Sequence, residues 1–381
     1  MNRRLFVGLM AGAAVCSTGK FTTETRAEST PPVESKPPDT ARMLEVTRVP
    51  GVAVAGIKEG LPYQLFAGVE RAGGPPVTAN TVFPAASLSK PVFTWAVQNL
   101  AKQAKIDLNR PLQDYLDLGL EGTAGKITAL HVLTHSTGLT NWRFQPNAPL
   151  ASAFDPGTKW QYSGEGFVLL QRVVEKIVGQ PIAAYMRATV LEPLGMTRST
   201  FAWTPENQNV TASGHDRQGA LLERSLAFYE RRNYETLQKN NLNPASATYE
   251  QIAAAYQQNK QPFLPVALSP NVAGSLQTTI EDYALFLAHV LKAMPRSDDF
   301  KPRVEVNRDV AWAPGWGVDR SFKSPSLFHW GDGPGFKNFC WVQPARKSAL
   351  VFFTNGDSGA ALYAWLFRQL LNEDPSVFYW I

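Results

Sequence analysis

Strand-like segments lie at both ends of this chain with helical periodicity between them, and that arrangement restricts the fold more than any other feature. Near the start, Val49-Pro-Gly-Val-Ala-Val-Ala and Tyr63-Gln-Leu-Phe-Ala-Gly are apolar runs separated by Lys58-Glu-Gly-Leu-Pro, which predicts a β-hairpin. Near the end, Asn338–Gln343 and Ala349–Thr354 read as strands, followed by a closing helix from about Gly359 to Leu371. Strands at the two ends can be covered only by joining one sheet. Between them, helical spacing marks residues 88–104 and the stretch from about Gly166 to Val178, where Val168, Leu169, Val173, Val174 and Ile177 share a face. Thr279 to Leu291 forms a further helix, with Thr279 as N-cap and Asp282 three positions on. The expectation is an α+β fold: one antiparallel sheet flanked by helices, with a helical subdomain.

With 381 residues, 44% hydrophobic and 18% charged, the chain can bury a full core and shape a deep pocket. The formal charge of +5 is unevenly placed, because residues 1–27 hold Arg3, Arg4, Lys20 and Arg26 against Glu24 and so carry +3, leaving +2 for the rest. A nearly neutral body gives no electrostatic reason to expect a nucleic-acid partner. Arg3-Arg4 followed by an apolar stretch through Cys16 has the anatomy of a signal peptide, loosely of twin-arginine type, with Thr25-Arg26-Ala27 suited to cleavage. That stretch is too short to span a bilayer. A lipoprotein signal ending at Cys16 is the rival reading, against which Val15 stands where a small residue would be expected. The expected product is therefore exported, periplasmic or secreted, with residues 1–27 removed.

Residues 28–43 form the expected linker, with Pro31, Pro32, Pro37 and Pro38 among small and charged residues, and the folded domain is expected over 44–381 from near Leu44. After removal of Cys16 only Cys340 remains, so no intramolecular disulfide forms. Phe339-Cys340-Trp341 reads as buried strand. Residues 204–264, polar and rich in Asn and Gln with possible helices at Glu223–Leu237 and Tyr249–Gln258, read as an excursion over the pocket; plain surface elaboration is an equal alternative.

The chemistry-bearing segment is Ser87-Leu88-Ser89-Lys90, which leads into the first helix. Ser and Lys three apart stand on one helical face, so the amine can reach the hydroxyl. Burial strips the amine of charge and lets it take the hydroxyl proton, and free N–H groups at the helix start suit an oxyanion. Pro91 forfeits no helical bond in the first turn. Two further elements accompany it. Tyr162-Ser163-Gly164 opens the second helix after Pro156-Gly157, and a phenol beside a Lys amine can share acid and base work. His329-Trp330-Gly331-Asp332-Gly333-Pro334-Gly335-Phe336 reads as opening a strand, with glycines that admit a substrate to the backbone.

Order and spacing together resemble the β-lactamase-related serine hydrolases: class C β-lactamases, D-alanyl-D-alanine carboxypeptidases and β-lactamase-like esterases. The likeness runs over roughly 44–372, through Val49-Pro-Gly-Val, Leu133-Thr-His135-Ser-Thr-Gly138-Leu, Pro156-Gly157 with Tyr162, Leu191-Glu-Pro-Leu-Gly-Met, and His329-Trp-Gly331 with Pro334-Gly335-Phe336. It implies the β-lactamase/transpeptidase-like fold. It also implies Ser87 as nucleophile, Lys90 as its proton-handling partner and Tyr162 as base toward the hydroxyl and acid toward the leaving group. Backbone N–H groups of Ser87 and Asp332 would form the oxyanion hole beside Gly331. His329 would stand in the place of the third motif's Lys, donating to Tyr162 or to a substrate carboxylate. The expected substrate is a small ester, peptide or β-lactam, taken through an acyl-enzyme with no metal or cofactor.

Two departures matter. A neutral His329 holds a carboxylate less well than Lys, and Gly164 stands where the family has the Asn of Tyr-x-Asn, removing a contact to substrate amides. Both tilt the expectation toward an esterase or a hydrolase of atypical amides; a β-lactamase proper or a degenerate penicillin-binding sensor are the alternatives. Gly356-Asp357-Ser358-Gly359 resembles a trypsin-like nucleophile segment, but the helical periodicity elsewhere contradicts an all-β protease. His131 and His135, four apart, lack a third ligand in register, and a buried structural His135 at a helix end is the simpler reading.

Overall fold

The computed structural model describes Pro37 and residues 39–381 apart from 146, 147 and 209. The expected signal peptide and most of the proline-rich linker lie outside the described residues. Helix α1 (Thr40–Thr47) already begins ahead of Leu44, because Met43 and Leu44 pack against the aromatic core under the C-terminal helix. The hairpin of β1 (Gly51–Lys58) and β2 (Leu61–Gly68) turns on Glu59 and Gly60, at φ 52° and 87°. Left-handed φ at both central residues matches the twist of the flanking strands.

Strand β3 (Val82–Pro84) then feeds a 3₁₀ turn at Ala86–Leu88 and helix α2 (Ser89–Lys102). Helices α3 (Ala129–Leu133), α4 (Gly164–Val178) and α5 (Ile182–Met186) build the helical side, followed by α6 (Pro205–Gln208), α7 (Leu226–Gln238) and α8 (Tyr249–Gln258). Strand β4 (Gln277–Thr279) pairs antiparallel with β3 and runs into α9 (Ile280–Ala293), where Thr279 Oγ1 accepts the Asp282 N–H at 3.3 Å as an N-cap. Strands β5 (Val304–Glu305), β6 (Val310–Ala313), β7 (Trp316–Asp319), β8 (Ser326–Gly333), β9 (Phe336–Gln343) and β10 (Ser348–Thr354) follow, and α10 (Gly359–Leu371) closes the domain.

The main sheet has eight strands in the order β2-β1-β10-β9-β8-β7-β6-β5, antiparallel throughout. Within it β1 pairs with β10, Val54 opposite Phe352, which brings the two ends of the domain together as the terminal strands require. Alternation then sends neighbouring residues into different cores. Val52, Val54, Leu350 and Phe352 meet Leu366 and Phe367 of α10, whereas Ala53, Ala55, Val351 and Phe353 meet the larger core shared with α2 and α9. Cys340 faces that larger core and is wholly buried, as its apolar neighbours predict.

The 204–264 excursion carries its own small core, in which Leu237, Ile252 and Tyr256 pack with Val168 of α4. It is tied back by polar bonds: Asn233 Nδ2 donates to Ser269 O at 2.6 Å, and the Tyr249 N–H to Glu175 Oε2 at 2.8 Å. His329-Trp330-Gly331 closes β8 instead of opening a strand, because Pro334-Gly335 makes the turn into β9. No helix among the described residues is long and apolar enough to cross a membrane.

Phe353 is wholly buried between the sheet and the strand leading to Ser87, 5.5 Å from the Phe83 ring and 5.8 Å from Tyr283. Phe353→Ala is expected to cost about 3–5 kcal/mol of stability in urea denaturation; a loss below about 1 kcal/mol would contradict this packing.

Candidate active site

Ser87 sits in the 3₁₀ turn between β3 and α2, and the residue before it, Ala86, holds φ at 50°. A side chain in that left-handed region is strained and persists only where its surroundings dictate it. Here they do. The Ala85 N–H donates to Leu276 O at 2.8 Å. Ser89 Oγ donates to Ala86 O at 2.6 Å and accepts the Leu276 N–H at 3.0 Å. Tyr283 Oη donates to Leu88 O at 3.0 Å. The turn is thus pinned to the segment entering β4 and to α9.

Lys90 lies in the first turn of α2 with its side chain fully buried. Its Nζ donates to Ser87 Oγ at 2.9 Å and to Ala273 O at 2.7 Å, and lies 4.9 Å from the Tyr162 ring centroid and 5.6 Å from that of Phe167. Burial brings the amine down to about 7 from its ordinary value near 10.5. Near neutrality a substantial share is free base.

Tyr162 precedes Ser163, the N-cap of α4, whose Oγ accepts the Gly166 N–H at 3.1 Å. Its hydroxyl is buried and faces Ser87, and burial pushes the phenol well up despite the opposing influence of Ser87. The two shifts differ in sense: burial brings the Lys90 amine toward its neutral form and keeps the Tyr162 phenol protonated.

The end of β8 crosses the Ser87 turn at backbone contact. A Cβ on Gly331 would stand 2.3 Å from Ala85 O, so only glycine lets this strand lie there. Asp332 follows directly, and its side chain turns outward to pair with Lys337. His329 is wholly buried, its Nδ1 bonding Trp330 O at 2.8 Å. A carbonyl only accepts, so the proton is on Nδ1 and Nε2 carries a lone pair. Burial, and then the proximity of Lys90, lowers this imidazole to about 3. The donor role expected for His329 toward Tyr162 or a substrate carboxylate is therefore corrected: the neutral ring has its one N–H engaged and offers an acceptor. Trp330 adds an aromatic wall, 5.4 Å from the Tyr162 ring. His131 is taken up in a capping box with Thr128, and no group of three or more metal-ligating side chains is placed to hold a metal ion among the described residues.

Residues 39–373 match the protein-family model described as Beta-lactamase. The chain belongs to the beta-lactamase family. Among curated relatives, it is 30% identical over 182 residues to Esterase EstB of Burkholderia gladioli, covering 39% of this chain and 45% of that protein. It is 28% identical over 191 residues to a beta-lactamase of Pseudomonas fluorescens, covering 46% of this chain and 53% of that protein. The chain thus spans about half the length of these relatives. A solved D-alanine carboxypeptidase AmpC from Burkholderia cenocepacia superposes with a TM-score of 0.65 at 18% identity, over 87% of this chain and 96% of that one, which shows the beta-lactamase/transpeptidase fold.

Against the family's Tyr-x-Asn pattern, Gly164 has a definite filler. A Cβ there would meet the indole of Trp142 at 2.3 Å, so Trp142 occupies the volume that a longer side chain would need. The loop bearing it is clamped over the start of α4, where Asn141 Oδ1 accepts the Gly164 N–H at 2.9 Å and Arg143 pairs with the buried Glu165 at 3.1 Å. The structure places Ser87, Lys90, Tyr162, His329 and Gly331, all expected from sequence, close to one another. Sequence reasoning did not find Trp142, the Ala273 carbonyl or Trp330's wall; Trp142, four residues past Gly138, was the one with a visible signal, an aromatic in a loop beside a signature glycine.

The acidic limb of kcat/KM for an ester is expected near pH 7, with activity rising as pH increases because loss of the Lys90 proton creates the base. A limb with its midpoint above about pH 9.5 would show an ordinary solvated lysine.

Proposed function

We propose that this chain is an exported serine hydrolase that works through an acyl-enzyme on Ser87 and favours esters over acylamino substrates. The observation that carries the reading is the 2.9 Å bond between Ser87 Oγ and a buried amine brought down to about 7. Lys90 Nζ takes the hydroxyl proton as Oγ bonds the substrate carbonyl carbon, and the displaced electron pair rests on oxygen, stabilised by the N–H groups of Ser87 and Asp332. Collapse breaks the bond to the leaving group, which receives its proton from the Tyr162 phenol while Lys90 replaces that proton. Water then attacks the acyl carbon by the reverse sequence and frees Ser87. The N-terminal Arg3-Arg4 and apolar run support export.

Preference for esters follows from the pocket. The neutral His329 supplies no cation for a substrate carboxylate, and Trp142 replaces an amide-binding side chain beside Gly164. The same two features are what a penicillin-binding sensor without turnover would have. The similarity to an esterase and to a beta-lactamase supports either chemistry as a candidate.

Hydrolysis of a short-chain p-nitrophenyl ester and of a penicillin by wild type and three variants tests the reading. Ser87→Ala and Lys90→Ala are expected to abolish ester turnover, and Tyr162→Phe to lower kcat about 10²-fold, all with unchanged melting. Full activity in Ser87→Ala would overturn the hydrolase reading. A penicillin turned over faster than the ester would make it a beta-lactamase, and acylation without release would make it a sensor.

A further inference from the structure

Resting on that reading, one question is what holds the Tyr162 phenol toward Ser87, since the residue lies in the connection before α4 and not inside a helix or strand. The backbone N–H groups of the residues before and after it both end on the same residue. The Gln161 N–H donates to His135 O at 2.7 Å, and the Ser163 N–H donates to His135 Nδ1 at 3.1 Å. The His135 imidazole also stacks on the phenol, with centroids 4.1 Å apart and planes inclined by 25°. His135 itself has φ at 52°, just past the end of α3, and that left-handed backbone turns its carbonyl and ring toward one segment.

We infer that His135 is a positioning residue for the acid–base chemistry: it fixes the orientation of Tyr162 by bonding the backbone N–H groups of Gln161 and Ser163 on either side of it and backing its ring. The bond from Ser163 sets the tautomer, because an acceptor at Nδ1 places the proton on Nε2. A doubly protonated ring would turn an N–H against the Ser163 N–H and release the clamp. Burial, then Lys90, then His329 hold the ring far on the neutral side, so the clamp stays set wherever Lys90 is a competent base. The groups that face the imidazole are Trp160 and Trp312 at 6.3 and 5.3 Å, Phe167 at 5.3 Å and Tyr162, with Lys90 and His329 as its titratable neighbours. This role differs from holding the fold together, since its effect must pass through the phenol.

A double-mutant cycle separates the two. Asn keeps an acceptor where Nδ1 stands and tolerates left-handed φ, whereas Ala loses the acceptor and the ring. On a p-nitrophenyl ester, His135→Ala is expected to lower kcat about 10²-fold with KM within a few-fold, the scale of loss for a displaced catalytic group. His135→Asn is expected to recover at least about tenfold of that, because the peptide clamp returns. In a Tyr162→Phe background either substitution should lower kcat by less than about twofold, since there is no phenol left to aim. Equal losses in both backgrounds, or an unchanged kcat in His135→Ala, would overturn the inference. If the alanine variant fails to fold, the asparagine cycle decides alone: a loss that persists in the Phe background counts against the role. Tyr162→Phe with wild-type turnover would instead sink the proposed mechanism and not the placement of His135.

Discussion

The structure depends on one buried amine. Lys90 is carried on α2, reaches Ser87 in the preceding turn, rests on a carbonyl from Ala273 and is roofed by Tyr162 and Phe167 from the start of α4. Three stretches far apart in sequence converge on an atom that water does not reach. An ammonium there would forfeit its hydration for bonds to one hydroxyl and one carbonyl. The site therefore favours the free base, and a base 2.9 Å from a serine hydroxyl is a reactive pair. The strained Ala86, the bonds of Ser89 and the cap of Tyr283 on Leu88 all serve to keep that hydroxyl in reach.

Around this pair the walls differ in character. On the sheet side, Gly331 lets β8 run against Ala85, which brings the next backbone position to the Ser87 turn. On the helical side, the loop holding Trp142 closes the volume beside Gly164. The excursion closes over the tip of the third motif, where Leu226 at the head of α7 packs so tightly on Gly333 that a Cβ there would meet it at 2.6 Å. These contacts offer apolar shape and backbone dipoles.

Much of this was legible from sequence, and what was not has physical reasons. The hairpin, the closing strands with α10 and the capped α9 follow from periodicities that a sheet or helix must have, so they appear where expected. Ser87 and Lys90 were legible because a three-residue helical spacing fixes their meeting locally. The start of α1 was hidden in polar residues whose burial depends on α10, over three hundred positions away in the chain. The direction of His329's hydrogen bond was hidden as well, because a tautomer is set by the carbonyl it meets. Trp142 at Gly164 and His135 at Tyr162 are tertiary contacts between loops, for which no local pattern exists.

The central claim is that Ser87 becomes covalently acylated under the control of Lys90. Intact mass of the purified protein after exposure to an alkyl phosphonate ester, with peptide mapping of the adduct at a series of pH values, tests it most directly. The account predicts one adduct on Ser87, forming faster as pH rises through about 7. No adduct, or one on another side chain such as Ser358 at the head of α10, would contradict it.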